Sequence, residues 1–229
     1  MNTTTTNGNS LTQKKNTTNA YPLRQVSSEN LSYDLPAWYE RLRPSLGDAL
    51  VVPEWQDEDS EYREQNGWKG RDLIHDPTTS AIYVPQYFVQ YGTHKELPRG
   101  GVGTTLTALA YFSERAESHR GYCHGGSMCS VMDDVIGWVA FCVTGEYRPW
   151  SGFTVQINTN LQKPIPVYSV LMIVGQVTRM ERRKVFVEAR LIDPSNDNAQ
   201  HARAEGIVVL NRGVLPPALE SQVSDVSME

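Results

Sequence analysis

His124, Gly125, Gly126 and Asp133 are the residues whose types and spacing could do chemistry together. The two glycines open a segment in which Met128, Val131, Met132, Val135, Ile136, Val139 and Val143 recur at three and four, which predicts a helix with one continuous apolar face. At its start the first N–H groups have no partner inside the helix. Without side chains on Gly125 and Gly126, those donors and the positive end of the helix dipole can face an incoming oxygen, and a polarised carbonyl would suit that place. At about 100° per residue, Asp133 falls on a strip with Gly126, Cys129, Gly137 and Ala140, whereas Asp134 turns towards Ser130 and Phe141. Small neighbours leave a carboxylate open to close approach, so Asp133 is the better candidate of the two. Burial beside Val135 and Ile136 is expected to raise its pKa.

Seven residues separate Gly126 from Asp133, roughly 10 Å along a helix axis, which is too far for both to act on one carbonyl carbon. A second copy of the helix, antiparallel across a two-fold axis, would bring the glycines of one protomer to the aspartate of the other. The spacing therefore predicts a dimer.

These residues need elements to hold them. With Trp138, Phe141 and Cys142 apolar on its far side, the helix is expected to be wrapped by the rest of the domain. Strands are predicted over 81–91, 104–112, 153–162, 170–178, 185–192 and 199–210, separated by turns at 100–103, 181–184 and 193–198. Short, turn-linked strands pair antiparallel. In 153–162, alternation sends Thr154, Gln156, Asn158 and Asn160 to one side and Val155, Ile157, Thr159 and Leu161 to the other. In 199–210 the core face is Ala202, Ala204, Gly206, Val208 and Leu210, small enough to lie close under a helix. The whole is an α+β plan, an antiparallel sheet wrapped around one long central helix.

The chain has 229 residues, enough for one domain with extensions: a disordered, Thr/Asn/Ser-rich tail over 1–33, an arm with a short helix near Leu35–Leu42 over 34–78, the main domain over 79–213 and a flexible tail over 214–229. A net charge of -5 disfavours nucleic acid as a partner, and no run of about eighteen apolar residues predicts a membrane span. Cys123, Cys129 and Cys142 are odd in number and clustered, which reads as reduced thiols and an intracellular site, cytoplasmic or, given the acid-poor N-terminus, mitochondrial.

His124-Gly125-Gly126 with an aspartate nine residues after the histidine, then a strand carrying Thr154 and ending in Lys163-Pro164-Ile165-Pro166, resembles the hot-dog-fold acyl-CoA thioesterases, above all the PaaI-like group and the eukaryotic thioesterase-superfamily members four and five. The resemblance runs from about Ala81 to Leu210, and more faintly over Pro36-Ala37-Trp38. It implies hydrolysis of an acyl-CoA to free acid and coenzyme A, with coenzyme A as part of the substrate and no separate cofactor or metal. It assigns Asp133 as base or nucleophile, Thr154 to placing the water, and the Gly126 N–H to the thioester oxygen, with Gly125 and His124 shaping the loop and contacting substrate. It also implies a homodimer or a dimer of dimers with shared sites. The helix-to-strand connection 144–152 is longer than the family pattern and could reshape the acyl pocket.

Other readings stay open on the residues themselves. His124 could simply fix a turn, Thr154 could be an ordinary strand threonine, and Asn158 could line the site or face solvent. Arg182, Arg183 and Lys184, with Arg179, could bind coenzyme A phosphates or form a solvated hairpin turn. A hot-dog dehydratase or hydratase, and a non-catalytic binding or dimerisation module, are the alternatives to a hydrolase.

Overall fold

The computed structural model describes residues 24–25, 50–52, 73–74 and 80–220 apart from 85, 96 and 98, so the expected N-terminal helix lies outside the described residues. Its strands are β1 Arg24–Gln25, β2 Leu50–Val52, β3 Ile82–Tyr83, β4 Tyr87–Gln90, β5 Thr105–Phe112, β6 Glu117–His119, β7 Tyr122–Cys123, β8 Gly152–Leu161, β9 Ser169–Glu181, β10 Lys184–Asp193 and β11 Ala199–Leu210. The helices are α1 Gly125–Ala140 and the short α2 Pro217–Glu220. The main sheet runs β1-β2-β4-β5-β9-β10-β11-β8, with β3 also on β5, and β6–β7 is a separate hairpin. Every pairing is antiparallel, as the short turns require.

Helix α1 packs against β5, β8, β9, β10 and β11 of this one sheet, so the sheet wraps it. Met128, Val131, Met132, Val135, Ile136 and Val139 are all buried, and Trp138, Phe141 and Cys142 on the far side are buried too. The predicted small residues of β11 admit the helix closely: a Cβ on Gly206 would stand 2.7 Å from the Ile136 side chain. This is the hot-dog arrangement, an α+β fold with an antiparallel sheet around a central helix.

Four features differ from the sequence reading. The 81–91 segment forms two strands, both on β5, with Pro85 in the sequence between them, a residue that has no N–H to give a ladder. The helix stops at Ala140, and 141–145 tighten into turns whose Val143 carbonyl accepts from the Gly101 N–H of the glycine turn at 2.8 Å. Val214, Leu215 and Leu219, expected in a flexible tail, are buried. They are held where Arg182 Nε donates to the Glu220 carbonyl at 3.1 Å and the Gly213 N–H donates to the Glu220 carboxylate at 2.7 Å.

The fourth is a β-bulge. Thr154 pairs with Val208 and Gln156 with the adjacent Ile207, leaving Val155 as the extra residue. Val208 is buried on the helix side, so Thr154 faces the helix together with Ile157, Thr159 and Leu161, while Gln156, Asn158 and Asn160 face outward. Simple alternation put Thr154 on the wrong side.

Candidate active site

The start of α1 is fixed from three directions. The His124 N–H donates to the Ala116 carbonyl at 2.7 Å, the Cys123 N–H donates to the Ile165 carbonyl at 2.8 Å, and His124 is the N-cap. Its Nδ1 accepts from the Gly126 N–H at 2.8 Å, a capping contact usually supplied by Ser, Thr, Asp or Asn. The Ser127 N–H is also taken, by the His124 carbonyl at 3.0 Å. A Cβ on Gly126 would sit 2.8 Å from that Nδ1, and one on Gly125 would sit 2.7 Å from Leu161 Cδ1, so both positions exclude side chains. The glycines thus let the imidazole and β8 close onto the helix start.

Asp133 lies two turns further on, exposed on the single chain where burial had been expected. With Cys129, Ser130, Thr154, Gln156 and Ile157 it lines an open groove of about 450 Å³ between α1 and β8. The bulge at Val155 is what brings Thr154 into it. Asp133 and Thr154 therefore share one cavity, and the helix start with Gly126 lies beyond it along the axis.

Asp134 is committed elsewhere. One carboxylate oxygen accepts from the Tyr87 hydroxyl of β4 and the other from Trp138 Nε1 at 3.1 Å, and the Trp138 ring stacks between Tyr87 and Tyr147 at 4.8 and 5.3 Å. It ties the helix to the sheet. The 144–152 connection, which carries Tyr147, packs there at the helix C-terminus and away from the 450 Å³ groove.

The other proposed binding residues do not join this groove. Asn158 lines a separate cavity of about 270 Å³ on the outer sheet face, with Gln156, Arg179, Phe186, Glu188 and Glu205. Arg182, Arg183 and Lys184 form the β9–β10 turn, which lies beside Leu210 and Gly152 at the opposite end of the sheet from Leu161 and Gly125. Arg182 is used by Glu220, and Arg183 Nη1 donates to the Leu210 carbonyl at 2.6 Å. Gln156, at the edge of the outer face, borders both cavities.

All three cysteines are free. Burial, helped by the negative charge of Glu117, pushes the Cys123 thiol up to about 11, and complete burial pushes Cys142 up as well. Neither suits a thiolate nucleophile. Among the described residues no group of three or more His, Cys, Asp or Glu could hold a metal ion, and no helix is long and apolar enough to cross a membrane.

Among the described residues β8 ends the sheet, and its edge exposes apolar side chains: Phe153 is 71% exposed, Val155 60% and Leu161 46%. An apolar free edge of this kind is a template for another strand.

The fold and groove define a class, a hot-dog domain with a carboxylate set between its central helix and an edge strand. Residues 120–199, from the β6–β7 hairpin to the start of β11, match the thioesterase superfamily, and the resemblance read from His124-Gly125-Gly126 and Asp133 is to that superfamily. The chain is 28% identical over 89 residues to acyl-coenzyme A thioesterase THEM4 of Rattus norvegicus, covering 39% of this chain and 36% of that protein. It is 31% identical over 71 residues to the Mus musculus THEM4, covering 31% of this chain and 28% of that one. It thus spans about a third of the length of the curated relatives it matches. Zebrafish thioesterase superfamily member 2 aligns in structure with a TM-score of 0.45 and 15% identity, over 70% of this chain and all of that one.

Proposed function

We propose that this chain hydrolyses an acyl-CoA thioester to the free acid and coenzyme A. The observation that carries the proposal is the single groove shared by Asp133 and Thr154 on a segment that matches the thioesterase superfamily. Asp133 acts as general base or nucleophile at the thioester carbon. The Thr154 hydroxyl, facing it across the groove, orients the attacking water. The oxyanion takes a backbone N–H at the start of α1, that of Gly126. One such donor contributes about 3 kcal/mol to the transition state.

Because Gly126 and Asp133 lie seven residues apart on one helix, the donor comes from a second protomer. The exposed apolar edge of β8 supports that pairing, as does the open, solvent-facing form of the groove on one chain. In such a dimer Asp133 would be buried by the partner. Coenzyme A is then part of the substrate, and the chemistry calls for no further cofactor.

The test is release of free coenzyme A from a panel of acyl-CoAs by the wild type and by Asp133→Asn, with an enoyl-CoA assayed for hydration alongside. Hydrolysis that disappears in the variant supports the assignment. An Asp133→Asn protein running at full rate, or hydration of the enoyl-CoA without release of thiol, ends it.

A further inference from the structure

The Gly126 amide, the donor assigned to the thioester oxygen, already gives its N–H to a neighbouring side chain. His124 Nδ1 accepts from it at 2.8 Å, and the ring lies over the glycine, with Nδ1 and Cε1 at 2.8 and 3.2 Å from where a Cβ would be. One N–H cannot give full hydrogen bonds to an imidazole nitrogen and a carbonyl oxygen together. Among the described residues the ring has this one hydrogen bond, and the side chain is exposed, so no other contact of that kind opposes its turning away. Accepting at Nδ1 also fixes the neutral tautomer with its proton on Nε2.

We infer that His124 is a displaceable cover on the Gly126 amide: it satisfies the donor while the site is empty and must swing aside for the acyl carbonyl to reach it. The inference rests on the thioesterase reading and refines it, making His124 a positioning residue that competes with substrate for one donor. Without a cover the amide would face water when empty, and the substrate would have one fewer bond to break on arrival. The competition weakens binding by about fivefold, the equivalent of one ordinary hydrogen bond.

The experiment uses the full chain, ¹⁵N-labelled at histidine, titrated with short-, medium- and long-chain carbadethia acyl-CoAs, in which a methylene replaces the thioester sulfur and the carbonyl is kept. Saturation is expected to move the His124 Nδ1 resonance out of its hydrogen-bonded position. His124→Ala is expected to bind the analogue about fivefold tighter, with KM for the matching thioester lowered in step. His124→Asn, whose side-chain oxygen can cover the same amide, restores the weaker affinity. A saturated complex in which the His124–Gly126 bond persists overturns the inference and makes Gly125 the donor. Weaker binding by His124→Ala overturns it too, as the ring would then be a substrate contact. Wild-type hydrolysis with an undisturbed imidazole sinks the cover alone, whereas a wild type that neither binds nor hydrolyses removes the thioesterase reading and the cover with it.

Discussion

Thr154 faces the same groove as Asp133 because Val155, the residue next to it, has no partner on β11. One extra residue in the strand reverses which side chains look at the helix before and after it. The candidate site is therefore a product of the bulge as much as of the residues themselves.

Asp133→Asn should reduce kcat/KM for acyl-CoA hydrolysis by about 10²–10⁴-fold, the usual contribution of a positioned base. Thr154→Val should cost roughly five- to tenfold, the loss of one hydrogen bond to water. Both variants should melt within a few degrees of the wild type, since Asp133 is exposed and Thr154 half-buried on the chain. Steady-state kinetics beside thermal unfolding check this.

Asp134→Ala should behave in the opposite sense. It removes the acceptor shared by Tyr87 and Trp138, so a loss of about 1–3 kcal/mol of stability is expected by chemical denaturation. Hydrolysis by the folded fraction should survive far better than in Asp133→Asn. A reversal of the two phenotypes would exchange the roles of the two aspartates.

At pH 8 iodoacetamide should label Cys129 ahead of Cys123 and Cys142, slowly in the proposed dimer that covers the groove and faster as dilution dissociates it, and all three after unfolding. Cys129 is half-buried and borders the groove, whereas Cys142 is fully buried. The Cys123 thiol, raised to about 11, stays protonated until the pH nears that value, so its alkylation should climb only in strongly alkaline solution. Mass spectrometry of the labelled peptides reads the order, and early labelling of Cys123 would contradict it.

Val155→Lys places a charge on the free edge of β8. The variant should elute as a folded monomer with hydrolysis reduced at least as strongly as in Thr154→Val. Light scattering coupled to gel filtration, with activity assayed at the same concentration, tests both halves. A fully active monomer would confine the site to one protomer.

Much of this was legible in the sequence, for reasons particular residues make plain. The apolar spacing from Met128 to Val139 allowed one helix and one buried face, and the alternation from Ala199 to Leu210 marked a strand whose bounds the structure reproduces. The preference for Asp133 over Asp134 followed from helix geometry, but of the two partners that engage Asp134 only Trp138 is a turn away, while Tyr87 lies 47 residues earlier, beyond any local pattern. The bulge was hidden because period-two reading assumes that every residue has an opposite. Arg182 looked available for phosphate because the segment that uses it carried no signal beyond scattered Val214, Leu215 and Leu219, and Arg183 because its acceptor, the Leu210 carbonyl, is a main-chain group that no side-chain pattern marks.

The order of the sheet also sets a timetable for the nascent chain. β8 leaves the ribosome directly after α1, yet its neighbour β11 is nearly forty residues away and is the last of the described strands to be made, while β9 and β10 must first bridge from β5. During that interval Phe153 and Val155 sit on an unpartnered strand beside a helix that has no floor beneath it. Slowing translation between residues 162 and 210 should therefore lengthen the period in which this chain depends on chaperones, a burden the finished fold no longer shows.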